Sequence, residues 1–122
     1  MPILPRDLLE CATALIKENG ETFQRAAVSR AYYACYHAAL PVAERLAPVD
    51  VNGGLHKKLY ETFIKERELS YKSVGYMLRQ SHSDRIRADY HLQEEIGRRD
   101  AETVIYTAIK ILNKIDSLDR DL

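Results

Sequence analysis

The residues best suited to chemistry lie between Arg79 and Arg99. This segment contains five arginines, two histidines and four acidic residues, a formal charge of only +1, so any basic surface must come from their arrangement. Within it, His91 follows Arg85 by six positions. A histidine titrates near neutral pH and can take up or release a proton, and an arginine stays charged and can stabilise an anionic transition state. A solvated helical face is the alternative explanation of the same mixed charges.

Whether Arg85 and His91 can act together depends on where their helix ends. Six residues of a continuous α-helix turn through about 600°, which leaves the two side chains roughly 120° apart. They converge if the helix ends near Tyr90, or if a second subunit contributes one of them. Structural or surface roles for both residues remain an alternative.

A second helix is needed to support this segment, and the stretch AAVSRAYYACYHAAL from Ala26 to Leu40 predicts one. It contains six alanines and three tyrosines without Gly or Pro, and alanine has the highest helix propensity. Four alanines recur at the spacing of one helical face, which is small enough for close packing: Ala27, Ala31, Ala34 and Ala38. Ser29 and Arg30 interrupt the apolar run, and a partly buried guanidinium needs a partner. A plain bundle core is the alternative interpretation.

Two motifs resemble those of a known family. The sequence SRAYYACYHAA, which begins at Ser29, and RIRADY, which runs from Arg85 to Tyr90, are similar to signatures of HEPN domains. The similarity is to the small bacterial and archaeal members with an R-x-x-A-D-Y pattern, and it spans nearly the whole chain. It implies a HEPN-like helical bundle that forms a homodimer with the two motifs facing each other.

The resemblance also implies a function. HEPN ribonucleases carry an arginine followed, after four to six residues, by a histidine. It implies that Arg85 and His91 are catalytic and largely exposed in a groove, with Arg87 and His82 as RNA-binding candidates. The implied protein is a metal-independent endoribonuclease, the toxin of a toxin–antitoxin pair whose partner is a minimal nucleotidyltransferase.

One residue departs from the family pattern and keeps two alternatives open. Ile86 directly follows the motif arginine, whereas active HEPN ribonucleases usually have a polar residue there. The first alternative is a non-catalytic module that binds a nucleotidyltransferase or its nucleotide. The second is a helical dimer without a small-molecule site.

Asp89 has two candidate partners. It stands one turn after Arg85, so an exposed pair between them would fit the helical spacing. The interpretation that we favour turns Asp89 inward to Arg30, with Tyr90 packed beside the pair, because this also gives Arg30 an anionic partner. Arg30, Asp89 and Tyr90 are therefore predicted to form a structural lock.

The remaining polar residues have structural interpretations. His37 is expected to be a core histidine, and His56 is expected to lie at a solvated helix start. Cys11 and Cys35 are expected to be buried, in a reducing compartment. The sequence contains no GxGxxG, GxxxxGK[ST], CxxC or HExxH pattern, so it predicts no cofactor and no metal site.

The chain as a whole predicts one all-α domain over residues 1–122, an up-and-down bundle of four to five helices. Its 18 basic and 18 acidic residues balance, so no global charge attracts nucleic acid. The N-terminus lacks a signal-peptide pattern and no apolar run is long enough to span a membrane, so a cytoplasmic protein is expected. The helices are expected from Pro5 to Asn19, from about Thr22 to Leu46 with a kink or break at Pro41, from Leu55 to Arg67, and from Ser73 with a break or tertiary support at Ser81–Asp84. A last helix is expected over an apolar stripe, and the second and last helices are expected to be the longest. The stripe consists of Ile96, Ala101, Val104, Ile105, Ala108, Ile109, Leu112, Ile115 and Leu118.

Overall fold

Five α-helices make up the regular structure of residues 2–121, the part of the chain that the computed structural model describes. They are α1 (Pro5–Leu15), α2 (Glu21–Arg45), α3 (Leu55–Ile64), α4 (Leu69–Tyr90) and α5 (Arg98–Asp121). No strand occurs within this range, so the predicted all-α bundle is confirmed. The longest helices are α2 and α5, with 25 and 24 residues, as the apolar stripes predicted.

The small residues of α2 place this helix at the centre of the bundle. It packs against each of the other four helices. Ala27, Ala31 and Ala34 have no exposed surface, so the close packing predicted for this face is confirmed. On the side toward α5, the Sγ atom of Cys35 lies 4.0 Å from the carbonyl oxygen of Ala108.

Proline and glycine lie at the starts of the first two helices, and the expected end of the first helix at Asn19 is wrong, because α1 ends at Leu15. Pro5 is the first residue of α1, where its missing N–H costs no helical hydrogen bond. The backbone N–H of Leu4 donates to the Asp7 carboxylate at 2.7 Å and completes this helix start. The chain then turns at Gly20, whose φ of +121° is rarely adopted by residues with a side chain.

Two of the expected helix interruptions do not occur. α2 continues through Pro41 to Arg45, so of the expected kink or break, the break is wrong. Pro41 and His37 lie on the exposed face near the end of the helix, where the loss of one backbone hydrogen bond is tolerated. α4 continues through Ser81–Asp84, as the alternative of tertiary support predicted, because Ser81 is buried and His82 packs against rings of α2 and α3.

Two side chains lie on a different face from the one expected. Cys11 is exposed, whereas Cys35 is buried, because α1 packs against α2 and α5 with its opposite face. On α5, Ile109 is exposed and Ile111 is buried instead. No helix among residues 2–121 combines the length and the apolar character needed to cross a membrane.

Candidate functional site

Three aromatic rings from three helices form a ring cluster at the centre of the candidate site, and they belong to Tyr32, His56 and His82. The phenol oxygen of Tyr32, in α2, lies 2.5 Å from Nδ1 of His56, in α3. His56 stacks on His82 of α4, with ring centroids 4.9 Å apart and 17° between the ring planes. Because Tyr32 is only 1% exposed, its phenol fixes the orientation of His56 from the interior of the bundle.

Both imidazoles favour their neutral form. Burial is the main cause of the lowered pKa of His56 and of His82, and the positive charge of Arg85 lowers both values further. The neighbouring His56 also lowers the pKa of His82. Burial raises the pKa of Tyr32, so this phenol keeps its proton beside Nδ1 of His56. One of these two groups donates the hydrogen bond, and the tautomer of His56 sets which one.

Arg85 brings a permanent positive charge to the rings. Its guanidinium carbon lies 5.2 Å from the ring centroid of Tyr33 and 5.5 Å from that of Tyr90, within the range of cation–π attraction. Its Nε atom donates to the Asp89 carboxylate at 2.9 Å. The side chain is only 13% exposed, so the expectation of a largely exposed Arg85 is wrong.

The predicted lock between Arg30 and Asp89 is not formed. Asp89 accepts hydrogen bonds from Arg85 and, at 3.3 Å, from the hydroxyl of Ser29, and no hydrogen bond or ion pair within residues 2–121 joins it to Arg30. Successive residues of a helix point about 100° apart, and it is Ser29 that faces α4. The guanidinium of Arg30 lies 5.5 Å from the ring centroid of Tyr33 instead. Tyr90, the third member of the predicted lock, is exposed beside Arg85.

The interhelical role expected of Arg30 belongs to Arg25. This side chain is buried and forms an ion pair with Glu21 at 2.8 Å. Its guanidinium donates to four backbone carbonyls at the end of α4 and in the following loop: those of Arg87, Ala88, His91 and Glu94. Carbonyls at a helix end lack partners within the helix, so Arg25 ties the end of α4 to α2. Glu21, one turn earlier, is the only sequence signal that distinguishes Arg25 from Arg30.

His91 and Arg87 lie apart from the ring cluster. α4 ends at Tyr90, and His91 caps it. Nδ1 of His91 is 2.6 Å from the Glu94 carboxylate, and Nε of Arg87 is 3.4 Å from the same group. Across residues 2–121 no hydrogen bond, ion pair or ring contact joins Arg85 to His91, so a single chain does not bring this predicted pair together.

Two histidines occupy positions that differ from their expected ones. His37 is exposed on α2, so its expected place in the core is wrong. His56 is the second residue of α3 and, instead of facing only solvent, it contacts the rings of Tyr32, Tyr36 and His82. The glycines that precede His56 carry no information about these distant partners, so local sequence reasoning could not find the contact.

The site combines groups for proton transfer with a group that binds anions. The imidazoles of His56 and His82 can take up and release protons, and the guanidinium of Arg85 can stabilise negative charge on a phosphate. Among the side chains of residues 2–121, no group of three His, Cys, Asp or Glu residues is arranged to hold a metal ion. Comparisons with protein-family models, with curated proteins and with solved structures find no match to this chain.

Proposed function

We propose that this protein is a HEPN-type endoribonuclease that cleaves RNA without a metal ion, and that Arg85, His56 and His82 are its working groups. The observation that carries the proposal is the stacked imidazole pair, 4.9 Å between centroids, under the electrostatic influence of Arg85. Acid, base and fixed cation are the three groups that transesterification of an RNA phosphodiester requires.

The proposed reaction needs no proton donor or acceptor beyond the two imidazoles. A neutral imidazole removes the proton of the 2′-hydroxyl, and the 2′-oxygen forms a bond to phosphorus. The bond from phosphorus to the 5′-oxygen breaks, and the protonated imidazole of the pair gives its proton to that oxygen. Arg85 stabilises the charge on the phosphorane. The products are a 2′,3′-cyclic phosphate and a 5′-hydroxyl.

The lowered pKa values set the pH dependence of this reaction. The pair must hold one proton, so the rate is highest between its two macroscopic pKa values. Both histidines titrate below their ordinary value of 6.5. The optimum is therefore expected on the acidic side of that value, with activity falling again once both rings are charged.

The biological setting is part of the same proposal. The resemblance of the SRAYYACYHAA and RIRADY segments to HEPN proteins supports a cytoplasmic homodimer that acts as a toxin, with a nucleotidyltransferase-like antitoxin as its partner. In such a dimer His91 of one subunit could approach Arg85 of the other. The ring cluster supplies the imidazoles within one chain, and His91 is then dispensable.

The test is cleavage of a labelled RNA by the purified protein with EDTA present, from pH 4.5 to 8. Arg85→Gln, His56→Asn and His82→Asn are each expected to lower the rate by at least about 100-fold. The double histidine variant should be little worse than either single variant, because the two rings act as one unit. His91→Asn is the matched control and should retain activity.

Two results would refute the proposal. One is intact RNA across the whole pH range with folded wild-type protein. The other is cleavage that is abolished by His91→Asn and unaffected by His56→Asn and His82→Asn, which would return the chemistry to the Arg85/His91 pair predicted from the sequence.

A second candidate function is a non-catalytic module that binds a nucleotidyltransferase or its nucleotide. The observation that favours it is the low exposure of Arg85, 13%, together with its ion pair to Asp89, because a guanidinium held in this way stabilises the fold. Tight binding of a nucleotidyltransferase or of its nucleotide, by a protein that leaves RNA intact, would support this candidate.

A further inference from the structure

A cleft between α1 and α2 adjoins the ring cluster and has no role in the reaction proposed above. Its volume is about 560 Å³, and it is lined by Ile3, Leu4, Pro5, Leu8, Arg30, Tyr33 and His37. Clefts of this size hold small organic groups. Its lining combines apolar side chains with one guanidinium, one phenol and one imidazole, a composition that suits a flat ring joined to an anion.

Tyr33 lies between the cleft and the ring cluster. It lines the cleft, and its ring is approached by the guanidinium of Arg30 at 5.5 Å and by that of Arg85 at 5.2 Å. The same ring lies 6.0 Å, between centroids, from His56. A group bound in the cleft is therefore an immediate neighbour of a group bound at Arg85.

The cleft also contains two features that the fold itself does not use. Ile3 and Leu4 are 65% and 68% exposed, so apolar surface remains uncovered at its mouth. Arg30 has no acidic partner within residues 2–121, although it lies beside this apolar surface. An anionic group attached to an apolar ring would satisfy both features, and a nucleotide is such a group.

We infer that this cleft is a nucleotide subsite of the proposed ribonuclease, in which one unpaired base of single-stranded RNA lies against Tyr33 and Leu4 while its phosphate meets Arg30. The inference rests on the proposed function for its substrate class. Stacking of bases on aromatic side chains and contact of the phosphates with arginine are the usual means of binding single strands. The next phosphate of the strand then reaches Arg85, so the subsite sets which linkage is presented to the imidazoles.

The test uses binding rather than cleavage. A fluorescein-labelled single-stranded hexanucleotide with 2′-fluoro groups lacks the attacking hydroxyl, and its affinity for the full chain is measured by fluorescence anisotropy at several salt concentrations. Arg30→Gln is expected to weaken binding about tenfold and to reduce the salt dependence by roughly one counterion. Its matched control is Arg79→Gln, since Arg79 also lies over a tyrosine ring, that of Tyr76 at 5.0 Å.

A second variant removes the apolar wall without weakening the helix. Leu4 is the N-cap of α1, and serine is favoured at that position, so Leu4→Ser should fold normally and bind more weakly. Its control is Leu69→Ser, at an 81% exposed leucine at the start of α4. Replacing one base of the hexanucleotide by an abasic unit should weaken binding to the wild type. The same replacement should change binding to Leu4→Ser much less, because the abasic unit and the serine each remove the same contact between the base and Leu4.

The possible results separate this inference from the proposed function. If Arg30→Gln and Leu4→Ser bind like their controls, the subsite is refuted even where all-ribose RNA is cleaved. If binding depends on Arg30 and Leu4 while all-ribose RNA stays intact, the subsite stands and the ribonuclease proposal falls. If either variant instead converts a dimer to a monomer in analytical ultracentrifugation with unchanged oligonucleotide affinity, the surface belongs to a second copy of the chain and the inference is overturned.

Discussion

Replacement of Arg25 by methionine is the most direct test of how the end of α4 is held. Methionine keeps an apolar stem of similar length and removes the charge. It leaves Glu21 without its ion pair and removes the guanidinium donor from four backbone carbonyls. Those of Arg87 and His91 keep a backbone N–H donor, whereas those of Ala88 and Glu94 lose the donor that Arg25 supplied. Arg30→Met is the matched control, because it removes the same charge from the same helix at a residue with no ion pair in the described part of the chain.

The expected loss follows from burial and from the number of acceptors. One hydrogen bond to a charged group contributes ~1.5–3 kcal/mol, and removal of one partner from a buried charged arrangement costs about 3–5 kcal/mol. The four carbonyls share a single guanidinium, so their contributions do not add, and we expect Arg25→Met to lose about 3–5 kcal/mol of unfolding free energy. For a domain of this size that corresponds to a melting temperature lower by roughly 10–20 °C. Arg30→Met should lose no more than about 1 kcal/mol.

The assay is urea and thermal unfolding of both variants, followed by far-ultraviolet circular dichroism at pH 7. Hydrogen exchange should show faster exchange in residues 91–97 of Arg25→Met and unchanged exchange there in Arg30→Met. Equal losses of stability in the two variants would refute the reasoning. A larger loss for Arg30→Met would restore the lock that was predicted from the sequence.

Three further predictions concern packing and pH. Gly75→Ala should destabilise by about 1–3 kcal/mol despite the higher helix propensity of alanine, because an added Cβ would lie 2.7 Å from the backbone nitrogen of Ile64; chemical denaturation measures this loss. Ala34→Leu should overpack a position of α2 that has no exposed surface and cost roughly 1–3 kcal/mol, and an unchanged melting temperature would count against its central position. The pKa values of His56 and His82 are lowered in the folded state, so the unfolded chain binds protons more readily than the folded chain. The stability that the two neutral rings contribute should therefore be fully present above pH 6.5. It should decline as the pH falls through 6.5 toward the folded-state pKa values. His82→Asn should reduce this decline, which thermal melts at pH 5 to 8 can detect.

The helices could be predicted from the sequence because their signals are local. Alanine content located α2, and Pro5 marked the start of α1. The predicted end of α1 at Asn19 was wrong, because α1 ends at Leu15 and Gly20 is instead the N-cap of α2. The spacing of apolar residues located α5, although it assigned Ile109 rather than Ile111 to the core. That error arises because both residues lie on apolar faces of α5. Which face is buried depends on the helices that pack against α5, and the sequence of α5 alone does not identify them.

The candidate site was less predictable because its contacts join distant segments. Arg85 and His82 were candidates from the sequence, and the structure places both at the ring cluster, yet the ring stacked on His82 is 26 positions earlier in the chain, at His56. The choice between Arg25 and Arg30 depended on which of them faces the end of α4, and both satisfied the rule that a buried cation needs a partner. Geometry between helices, rather than composition, decided each of these assignments.

The difference in exposure between Cys11 and Cys35 allows the fraction of folded molecules to be measured. Burial raises the pKa of the Cys35 thiol to about 12, so it is protonated and shielded beside Ala108, whereas Cys11 is open to solvent. A maleimide should therefore attach once to a folded chain and twice to an unfolded one. Mass spectrometry after a short exposure then reports the fraction of chains in which α2 has separated from α5, with no substitution needed.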